Sequence, residues 1–151
     1  MTRHAILAAA MLIATPAMAY RDDGGSVAYY AQQVWAHQGP KRIGWFSSAA
    51  ALWLGNPGAC VDSGSMVHIH PVVDPVRARA YNIPSVWAGI ISPHTTFDHV
   101  NSYASVMSAT PWGRRVFRTA EARGCFADPN GCNFYAGELV ALGVPVCRGG
   151  Y

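Results

Sequence analysis

The spacing of apolar positions changes several times along this chain, and each change marks an element. Ala5 to Ala14 is a continuous apolar run behind the basic start Thr2-Arg3-His4. That run is too short for a stable bilayer anchor. Ala17-Met18-Ala19 follows as an A-x-A-type cleavage site, so residues 1–19 read as an export signal and residues 20–151 as a single domain. Tyr20–Asp23 is a short polar lead. From Val27 the period becomes helical: Val27, Tyr30, Ala31, Val34 and Trp35 fall on one face, with Ser26 as N-cap and Gly39 as the stop. Lys41–Phe46 reads as a short strand. A turn at Ser47-Ser48 leads into a small-residue helix, Ala49–Leu54, which the Gly55-Asn56-Pro57-Gly58 break ends.

Over 65–70 the period falls to two, with Met66, His68 and His70 on one face and Val67 and Ile69 on the other. Pro71, Pro75 and Pro84 keep 71–95 irregular, apart from an apolar run at 86–91 that reads as a strand or a packing patch. A helix capped by Thr95 or Thr96 runs through Phe97, Val100, Tyr103, Ala104 and Met107 until Pro111 breaks it. Trp112–Arg123 is the next helix, Asn133–Tyr135 a brief strand, and Glu138–Leu142 a short helix stopped by Gly143. Helices alternating with short strands make the class α/β.

Composition adds two constraints. The formal charge is +3, and Arg114, Arg115, Arg118 and Arg123 concentrate positive charge in one segment. Their spacings put several of them on one helical face, which reads as solvated. Without a lysine-rich or aromatic-interleaved basic surface, nothing points to nucleic acid. The four cysteines, in an exported chain, read as two disulfides. Cys125 and Cys132 flank the turn Asp128-Pro129-Asn130-Gly131 and pair with each other, which leaves Cys60 for Cys147. Their spacings do not suit a zinc knuckle.

The candidate chemistry gathers at the serine turn. A serine where a strand becomes a helix is one way of presenting a nucleophile, and a histidine from the next strand could serve as its base. The plainer reading makes Ser47 the N-cap of the following helix. Gly24-Gly25 at a helix start leaves backbone N–H groups that could hold an oxyanion, or is simply a turn. His68, His70, His94 and His99 could share a metal ion, although paired histidines on a half-buried strand are more often hydrogen-bonded structural groups.

The order of these pieces resembles the Clp-protease/crotonase superfamily, and within it the secreted or periplasmic Clp-protease-like branch. The likeness rests on Gly24-Gly25-Ser26-Val27, on Ser48-Ala49-Ala50-Ala51-Leu52-Trp53-Leu54, on Cys60-Val61 and Ile69-His70, and on Phe134-Tyr135 with Glu138-Leu139-Val140-Ala141-Leu142-Gly143-Val144. It implies an oxyanion loop at Gly24 and Gly25, a nucleophile at Ser48 and a general base at His70. The family's acidic third member does not align, so Asp128 or Asn133 would stand in. The family's strand–helix–strand unit before the glycines is also missing. The resemblance therefore implies a Clp/crotonase-like core stapled by two disulfides that is truncated at its N-terminus, is completed by homo-oligomerisation, or comes from a gene with a misassigned start.

The implied activity is ATP-independent, peptidase-type acyl transfer on a peptide or protein, without a cofactor, in the periplasm or outside the cell. No membrane association is expected once the signal is removed. The competing expectation is a catalytically silent binding protein on the same fold. An export address argues against acyl-CoA chemistry.

Overall fold

The computed structural model describes residues 20–71 and 103–148. The export signal, the 86–91 run, His94 and His99 lie outside the described residues. Strand β1 (Arg21–Asp22) is followed by helix α1 (Val27–Ala36) and strand β2 (Lys41–Ser47). A 3-10 helix (Ser48–Gly55) leads to strand β3 (Ala59–Ile69). Helical backbone at 103–107 precedes helix α2 (Pro111–Ala122), strand β4 (Cys132–Tyr135) and helix α3 (Ala136–Ala141). The strands form one sheet in the order β1-β2-β3-β4; β1, β2 and β3 are parallel and β4 is antiparallel to β3. The class is mixed α/β, as the alternation predicts.

Three local expectations are corrected. Tyr20–Asp23 is not a loose lead: Arg21 and Asp22 pair with Trp45 and Phe46. The strand around Met66 starts earlier, at Ala59, immediately after the Asn-Pro-Gly break. The small-residue helix after the serines is a 3-10 helix eight residues long, not an α-helix. Its length requirement explains this. Only residues 48–58 return the chain from the end of β2 to the start of β3, where a parallel crossover usually takes a dozen residues or more. Eight residues advance about 16 Å as a 3-10 helix but only about 12 Å as an α-helix. All of its residues after Ser48 are buried, so packing against α1 and the sheet compensates for the poorer hydrogen-bond geometry.

Polar groups in this layer are satisfied by specific partners. Buried Asn56 donates from Nδ2 to the carbonyls of Val34 and His37, at 2.9 and 3.1 Å, and accepts from Gly58 N–H at 2.8 Å. It thereby ties the end of α1 to the crossover. Thr110 caps α2 through Gly113 N–H and donates to the Leu54 carbonyl at 2.7 Å. Phe46, Val67, Ile69 and Phe134 pack from the sheet into a core with Leu52, Leu54, Tyr103, Met107 and Leu139.

The disulfides are Cys60–Cys147 and Cys125–Cys132, as the spacing predicts. The first holds the tail on β3, where Val61 N–H donates to the Pro145 carbonyl and Cys147 N–H to the Val61 carbonyl. Among the described residues no helix is long and apolar enough to cross a membrane.

Candidate active site at the serine turn

The sequence places two serines where β2 gives way to the 3-10 helix, and the backbone there is unusual. Ser48 has φ 57, the one non-glycine residue with positive φ among the described residues. A side chain in the left-handed region costs of the order of 1–3 kcal/mol and persists only where its surroundings hold it. Two features do so here. The buried 3-10 helix fixes the chain after Ser48, and the Tyr103 hydroxyl donates to the Ser48 carbonyl at 2.8 Å. Burial pushes the Tyr103 phenol well above its ordinary pKa, so this donor keeps its proton. Ser47 occupies the N-cap position but makes no side-chain capping bond. The capping role is therefore corrected, and the Ser47 side chain instead lines a cavity.

The glycine loop is pressed against this turn. A Cβ placed on Gly24 would lie against the Ser47 carbonyl oxygen, 2.7 Å from Ser48 Cβ and 2.9 Å from Ala49 N, and Gly24 itself has φ 79. Asp22 sets the loop's shape: its Oδ1 accepts from Gly24 N–H at 3.0 Å and also from the Tyr30 hydroxyl. Burial, then the bond to Asp22, raises the Tyr30 pKa far above its ordinary value, so Tyr30 remains a donor. Gly24 N–H is thus already committed, and of the two predicted oxyanion donors Gly25 N–H remains without an acceptor among the described residues.

Gly24→Ala is accordingly expected to destabilise the protein by about 2–4 kcal/mol, from left-handed strain plus overpacking against backbone. Gly25→Ala should cost under about 1 kcal/mol, because its nearest neighbour is a Tyr30 ring carbon at 3.7 Å. Chemical denaturation of the two variants checks this; equal losses would show that the loop does not depend on close approach at Gly24.

Register places Asn133 beside His68 and His68 beside Ser47. Ser47, His68 and Asn133 line one cavity of about 290 Å³ together with Asp23, Arg21, Trp45 and Met66. His68 Nδ1 lies 2.7 Å from Asn133 Oδ1, and Asn133 Nδ2 donates to the Tyr135 hydroxyl at 3.4 Å. An amide oxygen only accepts, so Nδ1 carries a proton, and in the neutral ring the lone pair is then on Nε2.

His70 sits differently. Its Nδ1 donates to the Pro71 carbonyl at 2.8 Å, and its ring centroid lies 5.5 Å from that of His68. Burial is the main cause of a pKa below the ordinary 6.5; the Pro71 carbonyl opposes the shift and the charge of His68 adds to it. The unfolded chain therefore binds the proton more readily. Stability from this group is complete above about pH 6.5 and falls as pH drops below it. His70→Gln should flatten that acid limb when urea midpoints at pH 7 and pH 5 are compared.

Asp128 stays apart from both histidines among the described residues. It is exposed, and its Oδ1 accepts from Asn130 N–H at 2.8 Å inside the disulfide-closed turn. That turn does reach His70, but through Gly131, where a Cβ would lie 2.7 Å from His70 Cβ. So the structure brings Ser48 to Gly24, and His68 to Asn133 and Ser47. Alternation along β3 put both histidines on one face; only the antiparallel register of β4 reveals which of them meets an orienting group.

No group of three or more His, Cys, Asp or Glu side chains suited to a metal ion occurs among the described residues. Comparison with protein-family models, with characterised proteins and with solved structures gave no match.

Proposed function

We propose that this protein is an exported serine hydrolase that performs peptidase-type acyl transfer without ATP. The observation that carries the reading is the Ser48 backbone: a non-glycine residue at φ 57 between a strand and a buried helix, with a glycine loop packed on it. Strain of this kind is concentrated where a side chain must be presented at a sharp turn. In the proposed reaction Ser48 Oγ attacks the acyl carbonyl and its proton passes to His68 Nε2. Gly25 N–H donates to the developing oxyanion. The proton then goes to the leaving group, and water, deprotonated by His68, releases the acyl group and restores Ser48.

Asn133 takes the place of an acidic third member; it fixes the tautomer of His68 without adding negative charge. His68 is preferred to His70 as the base because it alone of the two has a side-chain orienting partner and lines a cavity with Ser47, the residue before the proposed nucleophile. The Clp/crotonase likeness and a peptide or protein substrate belong to the same proposal. So does a periplasmic or extracellular address, with which two disulfides are compatible.

The neutral Asn133 also favours a second reading, a catalytically silent binding protein, because an uncharged partner stabilises an imidazolium less than a carboxylate does. Mass spectrometry after fluorophosphonate treatment separates the two. One adduct, mapped to Ser48, supports the hydrolase; a folded protein that takes no adduct leaves the binding reading.

A further inference from the structure

The open face of the sheet continues beyond the serine row. Two residues back along the strands, Trp45, Met66 and Tyr135 are register partners on β2, β3 and β4. Met66 is 9% exposed, whereas Trp45 is 47% and Tyr135 61% exposed. The row is thus a sunken thioether between two more exposed rings. Neighbouring strands lie about 4.8 Å apart, so the Trp45 and Tyr135 backbones are separated by about 10 Å. A flat apolar group resting on Met66 would sit about 5 Å from each ring, within stacking distance, and against a sulfur atom that favours aromatic contact.

The cavity over this row is about 380 Å³ and no charged side chain lines it. Arg21 and Asp23 instead border the neighbouring cavity that holds Ser47 and His68, with Arg21 beside Trp45 by register on the side away from Met66. There Arg21 bonds Asp23 at 2.8 Å while its guanidinium carbon lies 5.2 Å from the centre of the Trp45 ring. That contact steadies the indole from the side away from Tyr135. Trp45, Met66 and Asn133 border both cavities, which makes the groove continuous from the base to the slot.

We propose that Trp45, Met66 and Tyr135 form the slot for an aromatic acyl group of the substrate, a neutral ring joined to its carbonyl by a short spacer. This proposal rests on the acyl-transfer reading above. Two residues along a strand span about 6.6 Å. That span matches the reach of the two-carbon spacer in a phenylpropanoyl group or a phenylalanyl residue. A ring in the slot therefore places its carbonyl in the row of Ser47 and His68. The slot's uncharged lining selects in the same direction, because a charged acyl group would lose its hydration there, and the neighbouring cation, Arg21, stands behind Trp45 and is bonded to Asp23.

The test uses the full-length exported chain carrying Ser48→Ala, so that nothing is turned over, and 3-phenylpropanamide as the probe. Binding is followed at the indole N–H resonance of Trp45, assigned by its loss in Trp45→Phe. A saturable shift is expected, with affinity falling roughly 3–10-fold in Tyr135→Ala, the effect of losing one aromatic wall. The charged analogue succinamate should bind at least about 10-fold more weakly. Tyr135 is exposed, so its truncation leaves the core intact. Absence of a saturable Trp45 shift, or undiminished affinity in Tyr135→Ala, overturns the slot. If the probe saturates but fluorophosphonate never labels the parent protein, the slot stands and the acyl-transfer reading falls. Labelling without probe binding removes the slot alone.

Discussion

Ser48→Ala is expected to abolish fluorophosphonate labelling and to lower hydrolysis of an aryl ester by a factor of the order of 10⁶, the loss that follows removal of a triad nucleophile. Ser47→Ala should keep the label and most of the rate, since Ser47 lines the cavity but sits in ordinary extended backbone at φ −125. The two serines are neighbours of the same chemical type, so this comparison separates the strained position from the merely adjacent one. Ser48→Gly sharpens it. Glycine adopts φ 57 without steric cost, and relief of left-handed strain should stabilise the fold by about 1 kcal/mol while removing the nucleophile.

A more stable, unlabelled glycine variant would show that the turn trades stability for presentation of a hydroxyl, as functional sites commonly do. If the adduct maps to Ser47 and survives Ser48→Ala, the strained backbone is a structural elbow and the nucleophile is the residue before it. Carried out at several pH values, the labelling rate also reports the base: His68→Ala should slow it by about 10²–10⁴-fold.

Much of this architecture is legible in the chain because its signals are local. Ser26 caps α1 by accepting from Tyr29 N–H, and the apolar stripe of that helix is read directly from spacing. Both disulfides follow from a turn sequence and from elimination. What the sequence leaves open depends on partners distant in the chain. Nothing within Ala49–Leu54 distinguishes a 3-10 helix from an α-helix; the span that the crossover must cover decides it. Arg21 and Asp22 carry no strand signal of their own and become a strand by pairing with Trp45 and Phe46. The same holds at the site. His68 and His70 are equivalent by alternation, and β4 resolves them by laying Asn133 beside one. Asp128, attractive as an acid by its type, is consumed by the turn that its own sequence specifies.

Removing the Cys60–Cys147 bridge with paired alanines should destabilise the protein by about 4–5 kcal/mol, against about 2–3 kcal/mol for Cys125–Cys132, if loop-closure entropy governs both. The sequence separations, 87 and 7 residues, set the order. Alanine is the informative replacement because a serine at fully buried Cys125 would add an unsatisfied hydroxyl and blur the comparison. The long bridge also secures a piece of structure that little else holds. The tail pairs with β3 through two backbone hydrogen bonds at Val61 and delivers Val144 to the core. β4 covers β3 only from Met66 to Ile69, so a released tail would uncover the strand's earlier half.

Urea unfolding followed by tryptophan fluorescence gives both losses, and the slope against urea should steepen as the uncrosslinked chain expands on unfolding. A domain of ordinary stability has about 5–15 kcal/mol in total, so losing the long bridge would bring it near its unfolding limit in a reducing environment. A loss of that size would favour an oxidising compartment, with which the two disulfides are compatible, by an argument separate from the export signal. Equal losses from the two bridges, or a larger one from the short bridge, would mean that packing around Cys125 outweighs chain entropy and would remove this argument for the address.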